Sequence, residues 1–195
     1  MSAIVYLHGF RSSPASIKAR QLEAAVAALS PAHRPRLHIP ALTPEPREAV
    51  AQVAAWVDDN IGLDSLTFVG SSLGGFYATW LAERFNLRAV LVNPAVRPYD
   101  LLAGEVGRQT NFHTGEEYDF TLAHVAELRE LEVDAIDPQR YLLMVETGDE
   151  VLDYRHAVEK YRGAQQLVIK GGDHGFSDFA DYLDEVMEFC VAPAG

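Results

Sequence analysis

Ser72 is the residue of this sequence whose neighbours best suit it to act as a nucleophile. It lies in the Gly-Ser-Ser-Leu-Gly sequence of residues 70–74, after an apolar run at 66–69 and before an apolar stretch at 76–82 that is typical of a buried helix. A serine in a tight strand-to-helix turn needs glycine two positions before and two positions after it, so that strand and helix can approach closely. Ser71 lacks these glycines. The spacing therefore predicts a nucleophile at Ser72.

A general base must take the proton of that hydroxyl, and His174 is the best placed of the seven histidines. It lies in a Gly-Gly-Asp-His-Gly turn between the predicted last strand and last helix, where small neighbours allow the imidazole to swing over the edge of a sheet. The other candidates lack this setting and are interpreted as hydrogen-bonded or solvated residues: His33, His38, His113, His124 and His156.

The imidazole needs a carboxylate to orient it, and Asp149 is the predicted acid. It follows the predicted strand 141–146 through a Thr-Gly pair, between the serine and the histidine in chain order. Glu150 and Asp153 remain alternatives, because a shift of one residue in this loop would change which carboxylate faces the imidazole. Asp173 is adjacent to the histidine and is interpreted as a turn or cap residue.

Two backbone amides are expected to bind the oxygen that gains negative charge during acyl transfer. One is the amide of Leu73, at the start of the helix after the nucleophile. The other is the amide of Phe10, where the predicted first strand ends in His-Gly, with His8 orienting the loop. These residues are the predicted oxyanion hole.

Short β-rich runs alternate with helical patterns along the chain, which indicates a mainly parallel sheet of about six strands. The chain order of serine, acid and histidine at three strand ends is the order found in α/β-hydrolases, so we expect that fold, a three-layer sandwich, as a single domain over 1–195. The strands are predicted near 3–7, 36–39, 66–69, 88–92, 141–146 and 166–170, and the helices near 15–29, 45–60, 73–85, 153–161 and 177–190. Residues 97–140 interrupt this rhythm as a lid-like excursion, with one predicted helix near 121–131.

The composition excludes some classes of partner. The 195 residues are 48% hydrophobic, which suffices for a buried core, and the net charge of -12 opposes binding to nucleic acid or to an anionic membrane. Cys190 is the only cysteine and lies on the apolar side of the last predicted helix, so we expect a buried thiol and a reducing, cytoplasmic location. No apolar run is long enough to cross a bilayer. The oligomeric state does not follow from the sequence.

Several segments together resemble the YqiA-like bacterial esterase family, a group of compact α/β-hydrolases. They are Tyr-Leu-His-Gly-Phe at 6–10, the glycine-rich segment 70–75, Asn-Pro-Ala at 93–95, Thr-Gly-Glu-Glu-Tyr at 114–118 and Gly-Gly-Asp-His at 171–174. The resemblance implies a cytoplasmic esterase without metal or organic cofactor, whose serine, acid and histidine correspond to Ser72, Asp149 and His174. Asp153 stands where such hydrolases usually have proline.

The sequence thus predicts a serine carboxylesterase that hydrolyses small to medium acyl esters through an acyl-enzyme on Ser72. The alternatives are an acyl thioesterase and a non-catalytic binding protein with the same fold. A metallohydrolase is disfavoured, because no His-Glu-x-x-His or similar ligand pattern occurs. The excursion supplies apolar residues, among them Phe112 and Tyr118, which either wall an acyl pocket beside Ser72 or only pack the excursion onto the sheet. No role follows for Lys18, Asn93 or Thr114.

Overall fold

The protein is described by a computed structural model that covers residues 2–60, 62–63 and 65–191. Eight strands occur in these residues: β1 Ser2–Leu7, β2 Arg36–His38, β3 Ser65–Ser71, β4 Arg88–Val92, β5 Gly107–Thr110, β6 Glu117–Phe120, β7 Tyr141–Glu146 and β8 Gln165–Ile169. Six of them form one sheet in the order β2-β1-β3-β4-β7-β8, and every neighbouring pair is parallel. The predicted sheet is confirmed, and all of its strands are parallel.

The helices are α1 Ile17–Ala28, α2 Pro46–Asp59, α3 Leu73–Phe85, α4 Pro98–Leu102, α5 Leu122–Glu130, α6 Tyr154–Lys160 and α7 Leu183–Val191. Helices α1 and α7 pack on one face of the sheet, and α2 to α6 pack on the other. Both faces of a parallel sheet are thereby covered, which explains why β1, β3 and β7 read as nearly continuous apolar runs. The expected three-layer sandwich is confirmed.

The last predicted helix begins later than expected. Residues 179–182 form a 3-10 turn, and α7 starts only at Leu183. Phe176 has a positive φ of 52°, which a continuing α-helix does not allow. Its ring meets those of Phe179 and Tyr182 edge to face, at centroid distances of 6.2 and 5.7 Å. Phe179 and Tyr182 of the 3-10 turn thus pack on Phe176, and α7 begins directly after this turn.

The excursion contains more regular structure than the sequence suggested. The predicted helix is present as α5, but α4 and the antiparallel hairpin β5-β6 were not expected. Phe120, at the end of β6, is buried and contacts the ring of Phe10 at a centroid distance of 5.1 Å. The hairpin therefore packs onto the loop after β1.

Two further features bear on the expectations from composition. The thiol of Cys190 is buried in α7, as predicted, and burial raises its pKa to about 12. Within the described ranges, no helix has the length and apolar character needed to cross a membrane. The cytoplasmic location stays a prediction.

Candidate active site

Ser72 occupies the turn between β3 and α3 in a strained backbone conformation, with φ 55° and ψ -121°. The flanking glycines are required by close contact. A Cβ on Gly70 would lie 2.3 Å from the carbonyl oxygen of Gly74, and a Cβ on Gly74 would lie 2.0 Å from that of Leu7. Strand and helix can meet at this distance only without those side chains. The turn therefore has the geometry expected of a nucleophile segment.

The carboxyl ends of the parallel strands bring the predicted site residues together. In the sheet, Leu7 pairs with Gly70, Val92 pairs with Met144, and Glu146 pairs with Ile169, so the loops that follow these strands share one edge. Ser72 follows β3 at this edge. The other predicted residues lie in the loops after β1, β7 and β8.

His174 contacts both of its predicted partners. Its Nε2 lies 3.0 Å from Ser72 Oγ, and its Nδ1 lies 2.8 Å from Asp149 Oδ2. Because an ionised carboxylate only accepts hydrogen bonds, Nδ1 carries the ring proton and donates a hydrogen bond to Asp149. Nε2 is then free to accept the proton of the serine hydroxyl. The arrangement can therefore remove a proton from Ser72.

Asp149 is held for this contact by its own loop. Its Oδ1 accepts the amide protons of Val151 and Leu152 at 2.9 and 2.8 Å, and its side chain is 1% exposed. Burial acts to raise the pKa of Asp149, but the hydrogen bonds from His174 and from the two amides outweigh it and keep the pKa below its usual value. The carboxylate therefore stays ionised near neutral pH.

The alternative acids have other partners. Asp153 caps α6 by accepting the amide proton of Arg155 at 3.0 Å, and it forms an ion pair with the same residue. Glu150 accepts the backbone amide proton of His174 at 2.9 Å, so it supports the loop and not the imidazole. The loop register thus places Asp149 at the ring, and Asp153, which stands in place of the usual proline, remains outside the contact.

The loop after β1 passes directly against the serine. A Cβ on Gly9 would lie 3.2 Å from Ser72 Cβ. His8 is buried, and its Nε2 accepts the amide proton of Leu42 at 3.3 Å, so its Nδ1 donates to the carbonyl of Gly9 at 3.1 Å. Burial lowers the pKa of His8, which favours this neutral form. His8 therefore fixes the loop.

Two clefts adjoin this arrangement. The β1 cleft, of about 60 Å³, is lined by Phe10, Leu73 and Tyr77 together with Tyr118 of the hairpin. The oxyanion-hole residues Phe10 and Leu73 thus border the same space, and the donor role of their amides stays a prediction.

The β4 cleft, of about 270 Å³, has a largely apolar wall that includes Ala95, Leu101, Val151 and Leu152. Its lining residue Ala95 donates its amide proton to the carbonyl of Ser72 at 3.1 Å, so the cleft lies beside the serine turn, although Ser72 and His174 are not among its lining residues. Arg97, Asp100, Asp153 and His156 add polar groups to its lining.

Only some of the excursion's apolar residues line these clefts among the described residues. Tyr118 borders the β1 cleft and Leu101 borders the β4 cleft. Phe112, expected at the pocket, is 71% exposed instead, with the guanidinium of Arg11 stacked over its ring at 4.1 Å. Tyr99, Leu102 and Phe120 are buried in the core.

Sequence reasoning missed a group of residues that contact the histidine loop, the segment 170–178 that follows β8 and carries His174. Glu146 is fully buried at the end of β7, and its Oε2 accepts the amide proton of Asp173 at 2.9 Å. Its Oε1 and Asp178 Oδ1 are buried without a donor among the described residues, although the two carboxyl groups are neighbours. Burial, together with the Asp178 carboxyl, raises the pKa of Glu146 to about 7. A glutamate that ends an apolar strand was the available signal.

Lys18 and Asn93 complete this group. Lys18 reaches from α1 and donates from Nζ to the carbonyl of Gly175, one residue after the histidine. Burial lowers the pKa of Lys18, and nearby carboxylates, including those of Asp173 and Asp149, oppose this shift. Asn93 follows β4 and donates from Nδ2 to the carbonyls of Asp173 and His174. Neither residue lies in a motif that indicates such a role.

Metal binding has little basis in the part of the chain that the structure describes. No group of three or more His, Cys, Asp or Glu side chains there is arranged to hold a metal ion. The expectation of an enzyme without a cofactor stays a prediction.

Comparison with solved structures identifies the fold. A crystal structure from Agrobacterium vitis superposes with a TM-score of 0.78 at 18% identity, covering 98% of this chain and 88% of that one. Mouse alpha/beta hydrolase domain-containing protein 10 gives a TM-score of 0.68 at 15% identity, covering 95% and 89%. A metagenome-derived lipolytic enzyme, described with LipS and LipT, gives a TM-score of 0.67 at 18% identity, covering 97% of this chain and 93% of that one. The chain has the α/β-hydrolase fold.

Comparison of sequences identifies the family. A UPF0227 protein of Yersinia enterocolitica is 29% identical over 192 residues, covering 95% of this chain and 97% of the relative. A UPF0227 protein of Serratia proteamaculans is 27% identical over 195 residues, covering 97% of this chain and 99% of the relative. The family model described as an uncharacterised protein family, UPF0227, matches residues 3–191. The resemblance found in the sequence is confirmed, and the chain belongs to the UPF0227 family.

Proposed function

We propose that this protein is a serine carboxylesterase that hydrolyses small to medium acyl esters. One observation carries the proposal: the continuous contact from Ser72 Oγ to His174 Nε2 at 3.0 Å and from His174 Nδ1 to Asp149 at 2.8 Å, on a strained strand-to-helix turn. A strained serine of this kind is stable only where the surrounding structure enforces it, which favours a catalytic over a structural role. The same geometry supports catalysis over the alternative of a binding protein.

In the first half of the reaction, Ser72 Oγ attacks the carbonyl carbon of the ester while its proton passes to His174 Nε2. Asp149 stabilises the resulting imidazolium and keeps the ring in position. The amides of Phe10 and Leu73 donate to the oxygen of the tetrahedral intermediate, a contribution of about 3 kcal/mol to the barrier for such a donor. When the intermediate collapses, the carbon–oxygen bond to the alcohol breaks, and His174 returns its proton to the alcohol.

The second half releases the acid. Water attacks the acyl-enzyme carbonyl, and His174 Nε2 takes one of its protons. Collapse of the second tetrahedral intermediate breaks the bond to Ser72 Oγ, which recovers its proton from the imidazolium. The ester and one water molecule become a carboxylic acid and an alcohol.

The cleft sizes support the proposed range of acyl groups. The β4 cleft, at about 270 Å³, lies just below the volume of sites that hold drug-sized ligands, and the β1 cleft, at about 60 Å³, is much smaller. A long acyl chain would extend beyond either space. A thioester would meet the same serine, histidine and aspartate, so esters and thioesters must be separated by assay.

The test combines a fluorophosphonate probe with a substrate panel. We expect the probe to label Ser72, as located by peptide mass spectrometry, and Ser72→Ala to remain folded without labelling or hydrolysis. Ser71→Ala is the matched control, because Ser71 is the neighbouring hydroxyl at the end of β3 and is buried. An adduct on Ser71 with Ser72 unmodified would overturn the assignment. p-Nitrophenyl esters and acyl-CoA thioesters of matched acyl groups then decide between esterase and thioesterase.

A further inference from the structure

The histidine loop begins at a strand that is not adjacent to the strand before Ser72. His174 follows β8, whereas Ser72 follows β3, and both β4 and β7 lie between these two strands in the sheet. The loop must therefore cross the ends of two strands before its imidazole meets the serine hydroxyl. Backbone groups in such a crossing have no ladder partners from the sheet, so other residues must hold them.

Asn93 binds this loop from the strand ends that it crosses. Its Nδ2 donates to the carbonyl oxygens of Asp173 and His174 at 3.0 and 3.3 Å. Its Oδ1 accepts the amide proton of Glu146, the last residue of β7, at 2.9 Å. The side chain is 2% exposed, and both polar atoms have partners. Asn93 thus joins β4, β7 and the histidine loop through one amide group.

The same stretch of chain also holds the nucleophile. The amide of Ser72 donates to the carbonyl of Val92 at 3.1 Å, and the amide of Ala95 donates to the carbonyl of Ser72 at 3.1 Å. Asn93 lies between these two contacts. Residues 92–95 therefore bind the backbone of Ser72 and the backbone of His174 at once, so they set the distance between the two.

We propose that Asn93 is a positioning residue that fixes His174 relative to Ser72, an inference that rests on the proposed esterase function. Asparagine suits the place for two reasons. Its amide supplies one acceptor and two donors, whereas aspartate would supply no donor for the two carbonyls. It also tolerates a positive φ, and φ is 39° at Asn93. The residue acts through the loop and does not touch the reacting atoms.

Two substitutions separate the amide from the backbone. Asn93→Gly keeps the positive φ without strain and deletes the side chain, and Asn93→Asp keeps the shape and removes the donors. Asn86 is the matched control, because it flanks the other end of β4 with a positive φ of 56° and lies away from the site. Asn86→Gly and Asn86→Asp therefore report the cost of the same changes without the contact to the loop.

We expect both Asn93 variants to lower kcat about 100-fold, the loss typical of a catalytic group misplaced by about 1 Å, with KM changed less than about threefold. The Asn86 variants should keep the wild-type kcat. Melting temperatures verify that each protein is folded, and Asn93→Gly supplies the comparison if Asn93→Asp is unstable. A wild-type kcat in folded Asn93→Gly would overturn the inference.

A second readout does not depend on turnover. The proton on His174 Nδ1, hydrogen-bonded to Asp149, should give a downfield NMR resonance in the wild type and in Asn86→Gly, and this resonance should shift or broaden in Asn93→Gly. An unchanged resonance in Asn93→Gly would overturn the inference. If the wild type neither hydrolyses esters nor reacts with fluorophosphonate, the proposed function fails, whereas the resonance still decides whether Asn93 positions the ring.

Discussion

The serine turn and the histidine loop meet at one edge of the sheet but are held there in different ways. The serine turn is fixed chiefly by glycines within two positions of Ser72, whose missing side chains let β3, α3 and β1 approach closely, and by backbone hydrogen bonds to Val92 and Ala95. The histidine loop is fixed by Lys18, Asn93 and Glu146, which come from three different elements. Both parts have tertiary contacts, but the first depends on backbone approach at glycines next to the nucleophile, and the second depends on side chains from distant parts of the chain.

This difference predicts how each part fails. A change in the serine turn forces strand and helix apart, so it should act on folding as well as on chemistry. A change behind the histidine loop leaves the sheet intact, so it should act on the placement of the imidazole. The predictions below test this comparison, from the largest expected effect to the smallest.

Removal of the base or its orienting acid should have the largest effect on activity. We expect His174→Ala to lower kcat by about 10⁶-fold and Asp149→Asn by about 10⁴-fold, because the three residues act as a unit. Ester hydrolysis under saturating substrate measures both. Asp153→Asn is the comparison for the loop register and should lower kcat far less than Asp149→Asn, since Asp153 lines the β4 cleft but makes its hydrogen bonds to Arg155 at the start of α6. A reversal of the two aspartate results would show that the loop register is wrong.

Gly74→Ala should be the most damaging change to the fold. The new Cβ would lie 2.0 Å from the carbonyl oxygen of Leu7, a backbone atom that cannot move without shifting β1. We expect a loss of about 3 kcal/mol or more in the free energy of unfolding, measured with urea. Gly104→Ala is the control, because nothing lies within 4 Å of its Cβ position. Equal stabilities would show that the close approach of α3 to β1 at Gly74 is not needed to hold the serine turn.

Glu146→Gln should change how stability depends on pH. Burial, with Asp178 alongside, raises the pKa of Glu146 from 4.5 to about 7. Between these values the folded protein binds more protons at this group than the unfolded chain does, so its contribution to the free energy of unfolding falls as the pH rises. Glutamine does not titrate. The variant should therefore gain stability relative to the wild type between about pH 4.5 and about pH 7.

Urea unfolding at both ends of this pH range measures the effect. Glu48→Gln, at an exposed position of α2, is the control for loss of one surface carboxylate. A difference between Glu146→Gln and wild type that is the same at both pH values would show that Glu146 titrates as it does in the unfolded chain.

Changes in the excursion should have the smallest effects, because they leave both parts of the site in place. We expect Leu101→Ala to raise kcat/KM for longer p-nitrophenyl esters relative to the acetate by about tenfold, since it enlarges the β4 cleft. Tyr118→Ala should alter the profile through the β1 cleft. Phe112→Ala is the control, since its ring is exposed beneath Arg11. An unchanged profile in Leu101→Ala and Tyr118→Ala would remove the excursion from the site.

The sequence predicted the parts of this molecule that depend on short-range pattern. The six strands of the sheet were located within two residues or so, because apolar runs between turn residues mark buried parallel strands. Glycine spacing and the apolar runs on either side of it predicted Ser72 as the nucleophile. His174 and Asp149 were identified because the fold brings the ends of their strands to one edge, and their roles stay predictions until activity is measured.

The missed features depend on contacts between distant residues. Strand β5 reads Gly-Arg-Gln-Thr, which has no apolar alternation, and it is stabilised by pairing with β6 and by packing on the loop after β1. The late start of α7 is different, because it accompanies contacts between near neighbours, namely the rings of Phe176, Phe179 and Tyr182. The role of Asn93 is visible only when the loop after β8 has crossed to β4. The spacing of residues in the sequence does not indicate contacts that form only in the folded chain.

The hairpin contact with the loop after β1 has a consequence for motion. Asn111 Nδ2 donates to the carbonyl of Ser12 at 2.7 Å, and the amide of Phe112 donates to that of Arg11 at 2.9 Å, although Asn111 and Ser12 are 99 residues apart in the chain. Together with the bond from Arg11 Nε to the carbonyl of Thr110 and the contact of Phe10 with Phe120, these bonds hold the junction, but they are fewer than the ladder bonds of the central sheet. We therefore expect the wall of the β1 cleft to open at a lower free energy than the sheet, so that its amide protons exchange with solvent long before those of β3.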